Sequence, residues 1–301
     1  MGEVGNHTNK RPGQKKSRAA LRIASLNIKG GNVITGPNSK WTNINALMRD
    51  RSINILALQE THLTEEKVAQ LGQFQKRLWI LCSPDPQNPS GKGGVALVIN
   101  KHNTNWKEVE EDEIYPGRAI LATIKWKEDT SLGILAVYAP SGNDTENAAF
   151  WKELQQRLAR LRRRGKRVDV LLGDFNMVEW GMNDRTPPRN EAQTVLDAFE
   201  EMKRSNDLHD GWREVNPNGR TTTFTSALHH ETGLRSYARL DRIYVRGTHT
   251  KWCDEWEIKP PGLRSDHDMV SMLLTPKGMP YVGGGRSTIP DNITDYEPMH
   301  K

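Results

Sequence analysis

The stretch Val168-Asp169-Val170-Leu171-Leu172-Gly173-Asp174-Phe175-Asn176 constrains this chain more than any other. A β-branched and leucine-rich run that stops at glycine predicts a buried strand. Asp174 and Asn176 follow at alternate positions, which on an extended backbone sets both side chains on one side. A carboxylate and an amide held there can grip a water and a phosphate oxygen together. An Asx turn accounts for the same residues, so companions elsewhere in the chain decide between the two.

Short apolar runs recur on both sides of that stretch. Residues 21–27, 53–58, 94–99, 119–126, 132–139, 240–245 and 269–274 read as further strands. Trp41, Ile44, Leu47 and Met48 predict a helix over 41–50, and Thr64 ahead of two glutamates predicts a capped helix start. Trp151, Leu154, Leu158 and Leu161 line one face of a third helix, which Gly165 should stop. A fourth is expected near 191–204, with loops over 83–93 and a polar segment over 215–236. Strands outnumber helices and alternate with them irregularly. The expected fold is therefore a two-sheet α/β sandwich flanked by helices, in one domain over 21–275.

Charge bears on what such a domain meets. The chain carries a net +6 with a pI near 9.2, and residues 1–20 hold five basic residues against one acidic. This tail and residues 276–301 lack core material and are expected to be poorly ordered. A basic tail suits a polyanion such as nucleic acid, although a solubilising tail has the same composition. No apolar stretch is long enough to cross a bilayer, and no hydrophobic signal region opens the chain, so neither a membrane nor secretion is expected. Cys82 and Cys253 stand far apart, which leaves oxygen ligands as the expected holders of any metal.

Polar residues recur where the apolar runs end: Asn27, Glu60, Tyr138, Asp174 with Asn176, Asp241, and Asp266 with His267. Strand ends gather at one sheet edge, where α/β folds place their sites. Singly each has a plain explanation, but eight in this order make coincidence a poor account. The blocks Ser25-Leu26-Asn27, Leu58-Gln59-Glu60-Thr61, Val137-Tyr138-Ala139-Pro140, Gly173-Asp174-Phe175-Asn176, Leu240-Asp241-Arg242-Ile243 and Ser265-Asp266-His267 resemble the endonuclease/exonuclease/phosphatase superfamily. Within it, Gln59 to Thr64, Asp184-Arg185 and Thr223-Phe224-Thr225-Ser226-Ala227 look like the endonuclease domain of LINE-type (non-LTR) retrotransposons. The text around Leu56–Leu63 and Asp266–Ser271 looks like fungal elements.

That resemblance implies a DNase I-like fold and a Mg²⁺-dependent nuclease, with Mn²⁺ able to substitute. Glu60 would hold the metal with Asp266 and Asn27, since a hard cation prefers carboxylate and carbonyl oxygens. Asp174 would deprotonate the attacking water, Asn176 and Asn27 would hold it or the phosphate, and Tyr138 would donate to a phosphate oxygen. His267 would bind the oxygen that gains charge, oriented by Asp241. Many relatives carry an acidic residue where this chain has Lys29, which favours one metal and places a cation near the phosphate. Lys29, Arg185, Thr223 and Ser226 are the expected DNA contacts. The run Arg157, Arg160, Arg162, Arg163, Arg164, Lys166, Arg167 reads as cations complementing a helix dipole.

The expected activity is nicking of one strand of double-stranded DNA to leave a 3′-hydroxyl and a 5′-phosphate, as in target-primed reverse transcription. Element RNA is an expected partner of the basic tail, and the nucleus the expected location. The family's endonuclease normally precedes a reverse transcriptase, so a chain of this length is read as a fragment or a truncated copy. An abasic-site repair endonuclease and a catalytically silent DNA-binding relic are the alternatives.

Overall fold

The computed structural model describes residues 19–127 and 130–276, so the two expected tails lie outside it but for residues 19–20 and 276. The first half of the fold runs β1 (Leu21–Asn27), α1 (Trp41–Asp50), β2 (Ile55–Gln59), α2 (Glu65–Phe74), β3 (Leu78–Ser83) and β4 (Val95–Asn100). Then follow β5 (Glu110–Tyr115), β6 (Ala119–Lys127), β7 (Thr130–Tyr138), α3 (Asp144–Arg163) and β8 (Val170–Asp174). The chain continues through β9 (Arg185–Thr186), α4 (Gln193–Ser205), β10 (Leu208–Asp210), α5 (Gly211–Val215) and β11 (Phe224–Thr225). It closes with β12 (Tyr237–Ala238), β13 (Asp241–Arg246), β14 (Cys253–Lys259) and β15 (Met269–Leu274).

Two six-stranded sheets result, ordered β14-β15-β1-β2-β4-β3 and β10-β13-β8-β7-β6-β5, with a small sheet β11-β12-β9 at the rim. Both large sheets are mixed: β1 with β2 and β7 with β8 are parallel, and the remaining pairs antiparallel. Alternation sorts the side chains into three cores. Ile23, Ala57, Leu97, Ile134, Leu172 and Ile243 meet between the sheets. On the outer face of the first sheet Leu26, Leu56 and Leu58 pack on Trp41, Ile44 and Met48 of α1. On the outer face of the second, Leu171 and Tyr244 pack on Trp151 of α3 and Phe199 of α4. The result is the expected sandwich, helices outside and two sheets within.

Local signals explain the helices. The Thr64 hydroxyl accepts from Lys67 N, and Asn143 caps α3 through Thr145 N and Glu146 N. Beyond α3, Gly165 takes φ +82 and Lys166 N reaches back to Leu161 O, the αL stop that the glycine predicts. Gly173 is required by close approach: at φ +151, a Cβ there would lie 1.9 Å from Val137 O of the neighbouring strand.

Candidate active site

β1 and β2 of one sheet and β7, β8 and β13 of the other all direct chain toward the same edge. Tyr138 pairs in register with Asp174, and Asp174 with Asp241, so three site residues stand level on adjacent strands. Across the seam, the Asn27 amide Nδ2 donates to Glu60 Oε1 at 2.9 Å and to Asp174 Oδ2 at 2.9 Å. Tyr138 OH donates to the same Glu60 oxygen at 3.2 Å. His267 Nδ1 lies 2.7 Å from Asp241 Oδ2, and its Nε2 lies 4.0 Å from Asp174 Oδ2. Six of the eight expected residues, Asn27, Glu60, Tyr138, Asp174, Asp241 and His267, thus lie in one connected group.

Asn176 joins it by a different route from the expected one. The strand ends at Asp174, and Asn176 sits at φ +49 with its N–H on Asp174 Oδ1. That is the Asx turn, and it is also the site: the turn holds Asp174 while Asn176 Nδ2 donates to Ala139 O at 2.8 Å. Strand alternation does not place the pair. Lys29, Glu60, His62 and Asn176, four of the seven described non-glycine residues at positive φ, flank this edge. Strained backbone gathers where the chain must aim side chains rather than continue a strand.

Electrostatics divide the site into a base and an acid. Burial raises Asp174 first, and neighbouring Asp241 adds to it, against His267 and the hydrogen bonds from Asn27 and Asn176; the carboxyl is raised to about 6. For His267, burial alone would lower the imidazole, but Asp241, Asp174 and Asp266 outweigh it and raise it to about 9. Burial and the Glu60 charge push the Tyr138 phenol up, so it stays a donor. Asp174 is therefore ionised and His267 cationic at neutral pH.

Ligand atoms of Asp174, Asp241 and His267 lie within 4.8 Å of one another, the spacing of a metal cluster. A cationic imidazole bonded to Asp241 at 2.7 Å, with Asp174 at 4.0 Å from its other nitrogen, repels a metal ion. The oxygen set at its flank fits a divalent ion better. Both bonds to Glu60 fall on Oε1, and Asp266 is only partly covered. Glu60 and Asp266 supply the carboxylate oxygens that a hard divalent cation takes, with the Lys29 and Lys40 ammonium groups beside them.

The expected DNA contacts separate. Lys29 is exposed at the edge with Nζ 2.6 Å from Asp266 Oδ2. Ser226 sits at the base of a hairpin, its hydroxyl donating to Ala227 O and accepting from Ser236 N. Arg185 is half-buried and held at 2.6 Å by Glu191, which makes it a brace of the β8–β9 loop. Thr223 is corrected outright: it is buried, donates to Asp241 Oδ2 at 2.7 Å and accepts from Leu240 N and Asp241 N. A buried hydroxyl with three partners has no bond left for DNA.

Sequence reasoning missed three supports. Ser265 Oγ donates to Asn27 O and accepts from His267 N, tying the last block to the first. Asp184, wholly buried, binds Arg213 and Arg239, and Arg239 also binds Asp210; this network anchors the small sheet that carries Thr223. Lys40 lies against the Ile28 and Lys29 carbonyls, its pKa lowered by burial and by Arg264. An aspartate directly before Arg185 was the one visible hint of the buried network.

The profile of the endonuclease/exonuclease/phosphatase family matches residues 24–267. No curated protein matches the chain. AP endonuclease LMAP from Leishmania major superposes with a TM-score of 0.69 at 17% identity, over 85% of this chain and 88% of that one. The endonuclease domain of TRAS1, a telomere-specific non-LTR retrotransposon, gives 0.60 at 14% identity, over 85% and 99%. The 3′-5′ exonuclease NExo from Neisseria meningitidis gives 0.64 at 20% identity, over 85% and 100%. Likeness at these identities establishes a shared fold.

Proposed function

Because the chain belongs to the endonuclease/exonuclease/phosphatase family, we propose that it is a divalent-metal-dependent endonuclease that nicks one strand of double-stranded DNA. The observation that carries this reading is the level row Tyr138, Asp174, Asp241, with His267 on Asp241 and Asn27 bridging to Glu60. Asp174, raised to about 6, is matched to taking a proton from water near neutral pH. Cationic His267 directs Nε2–H at the phosphate oxygen that gains charge, and Asp241 holds that ring charged and oriented. Tyr138 OH and the second N–H of Asn176 donate to the remaining phosphate oxygens. Glu60, with Asp266 and Asn27, is the set that would hold Mg²⁺ or Mn²⁺, which when bound supplies charge neutralisation at the departing oxygen.

The products on this reading are a 3′-hydroxyl and a 5′-phosphate. The LINE-type assignment, and with it a nuclear location, rests on the blocks at Gln59–Thr64 and Thr223–Ala227. The element-RNA partner was read from the basic tail, which lies outside the described residues. Nicking of supercoiled plasmid with Mg²⁺ and with EDTA, beside Asp174→Ala and His267→Ala, tests the proposal. Metal-dependent open circles lost in both variants support it; a folded wild type that leaves plasmid intact refutes it. A duplex with one abasic site, cut in preference to plasmid, would move the assignment to repair.

A further inference from the structure

The arginines around the end of α3 were read from sequence as complements of a helix dipole, and the structure leaves most of them without that employment. Arg162 bonds Ser205 O at the end of α4, Lys166 binds Asp112 at 2.5 Å and Glu110 at 3.1 Å, and Arg157 binds Glu153. Arg160, Arg163, Arg164 and Arg167 are exposed, and among the described residues their side chains have no partner. A helix end carries only about half a charge, which Arg162 alone offsets. Four further guanidinium groups within eight residues repel one another and add nothing to the fold.

Their placement sets them apart from the site. α3 begins beside the catalytic edge, where Asn147 Nδ2 donates to Pro140 O and Phe175 O. Its 20 residues, at about 1.5 Å each, carry the arginines about 30 Å away, to the opposite end of the strands. A cavity of about 130 Å³ opens there, lined by Arg162, Lys166, Arg167 and Arg246. His249, which feels the charges of Arg167 and Arg246, stacks at 6.3 Å on Trp126, whose indole donates to Ala19 O. Lys10, Arg11, Lys15, Lys16 and Arg18 precede Ala19 in the sequence, so the chain enters the fold at this same basic end.

The chemistry selects the partner. Guanidinium forks match phosphate oxygens in pairs. Residues 160–167 include no aromatic side chain, and the Trp126 ring at this end is already packed by His249 and Trp252, so the arginines carry no free stacking platform for single strands. Leu161 is buried, so no apolar face is present to enter a membrane. DNA with a persistence length of about 50 nm does not fold down the flank from the catalytic edge to this end. We propose that Arg160, Arg163, Arg164 and Arg167 form a second binding surface for duplex DNA, which holds a segment other than the one being cut.

The test is binding of a short blunt DNA duplex to the whole chain in EDTA, followed by sedimentation and by anisotropy across a salt series. Wild type should bind two duplexes per chain; the fourfold Arg→Gln variant at 160, 163, 164 and 167 should bind one. The salt slope of the weaker event, about −3.6 for four phosphate contacts at 0.9 each, should vanish with it. The fourfold Arg→Lys variant should keep two duplexes, and nicking of a short duplex should be the same in all three. Equal numbers of duplexes bound by wild type and the Arg→Gln variant, or displacement by acidic vesicles or single-stranded RNA in preference to duplex DNA, would each overturn the proposal. The stoichiometry is read without cleavage, so it stands or falls separately from the nuclease assignment.

Discussion

Asp241→Asn separates the base from the acid in this site and carries a number. The His267 imidazole is raised to about 9 because Asp241 at 2.7 Å outweighs burial. Burial remains when the charge is removed and only Asp174 and Asp266 are left to oppose it, so the group should fall toward its ordinary 6.5. A drop of about 2.5 pH units, at about 1.4 kcal/mol each, is about 3.5 kcal/mol of coupling. At pH 7.5 the wild-type ring is almost wholly charged, while the variant ring is charged in about a tenth of molecules. The expected rate loss at that pH is about tenfold, easing as the pH is lowered toward 6, where Asp174 begins to protonate. The linkage has the same sign: stability from the raised imidazole is fully present below pH 6.5 and is lost as pH rises through about 9. The variant should lack that decline. NMR titration of the metal-free protein with labelled histidine reads the quantity directly, and a ring still titrating near 9 in Asp241→Asn would refute the reasoning.

Three further perturbations follow. Thr223→Val leaves the buried Leu240 and Asp241 N–H groups without an acceptor, and should cost about 2–4 kcal/mol in urea melts and lower kcat with KM unchanged; a raised KM at constant kcat would return Thr223 to the DNA surface. Gly173→Ala sets a methyl 1.9 Å from a backbone carbonyl that cannot yield, and should cost about 4 kcal/mol or more, read as loss of soluble protein or of the urea transition. Glu60→Gln should abolish the rise in Tm on adding Mn²⁺, about 2.7 kcal/mol at a hundredfold excess over Kd in the wild type; an undiminished rise would put the ion elsewhere.

The strands that build the seam were legible because both their faces are buried. Residues 21–27 and 269–274 read as strands and form β1 and β15 with those bounds, and the helix at 41–50 is α1. β5 was not legible: Glu-Glu-Asp-Glu-Ile-Tyr has the composition of a loop and pairs only because β6 supplies a ladder at the sheet edge. β14, the other polar edge strand, and the two-residue strands of the small sheet were missed for the same reason, whereas β3, Leu-Trp-Ile-Leu-Cys-Ser, is apolar and was passed over. In the site, the candidate residues at strand ends were legible because polar groups interrupting apolar runs stand out. Thr223 was misassigned because a threonine in a polar segment looks exposed, and only the Asp184–Arg213–Arg239 network shows that its loop is folded inward.

One amide, that of Asn27, joins a carboxylate from each sheet through two bonds of 2.9 Å. Sliding or swelling of the layers by an ångström would break the bond to Asp174, long before the strands themselves came apart. Catalysis in this protein is then a strain gauge set in the mortar between two walls. It should register a core substitution such as Ile134→Ala, deep between the sheets, that circular dichroism reads as intact, and turnover should fade along a temperature ramp ahead of the melting of secondary structure.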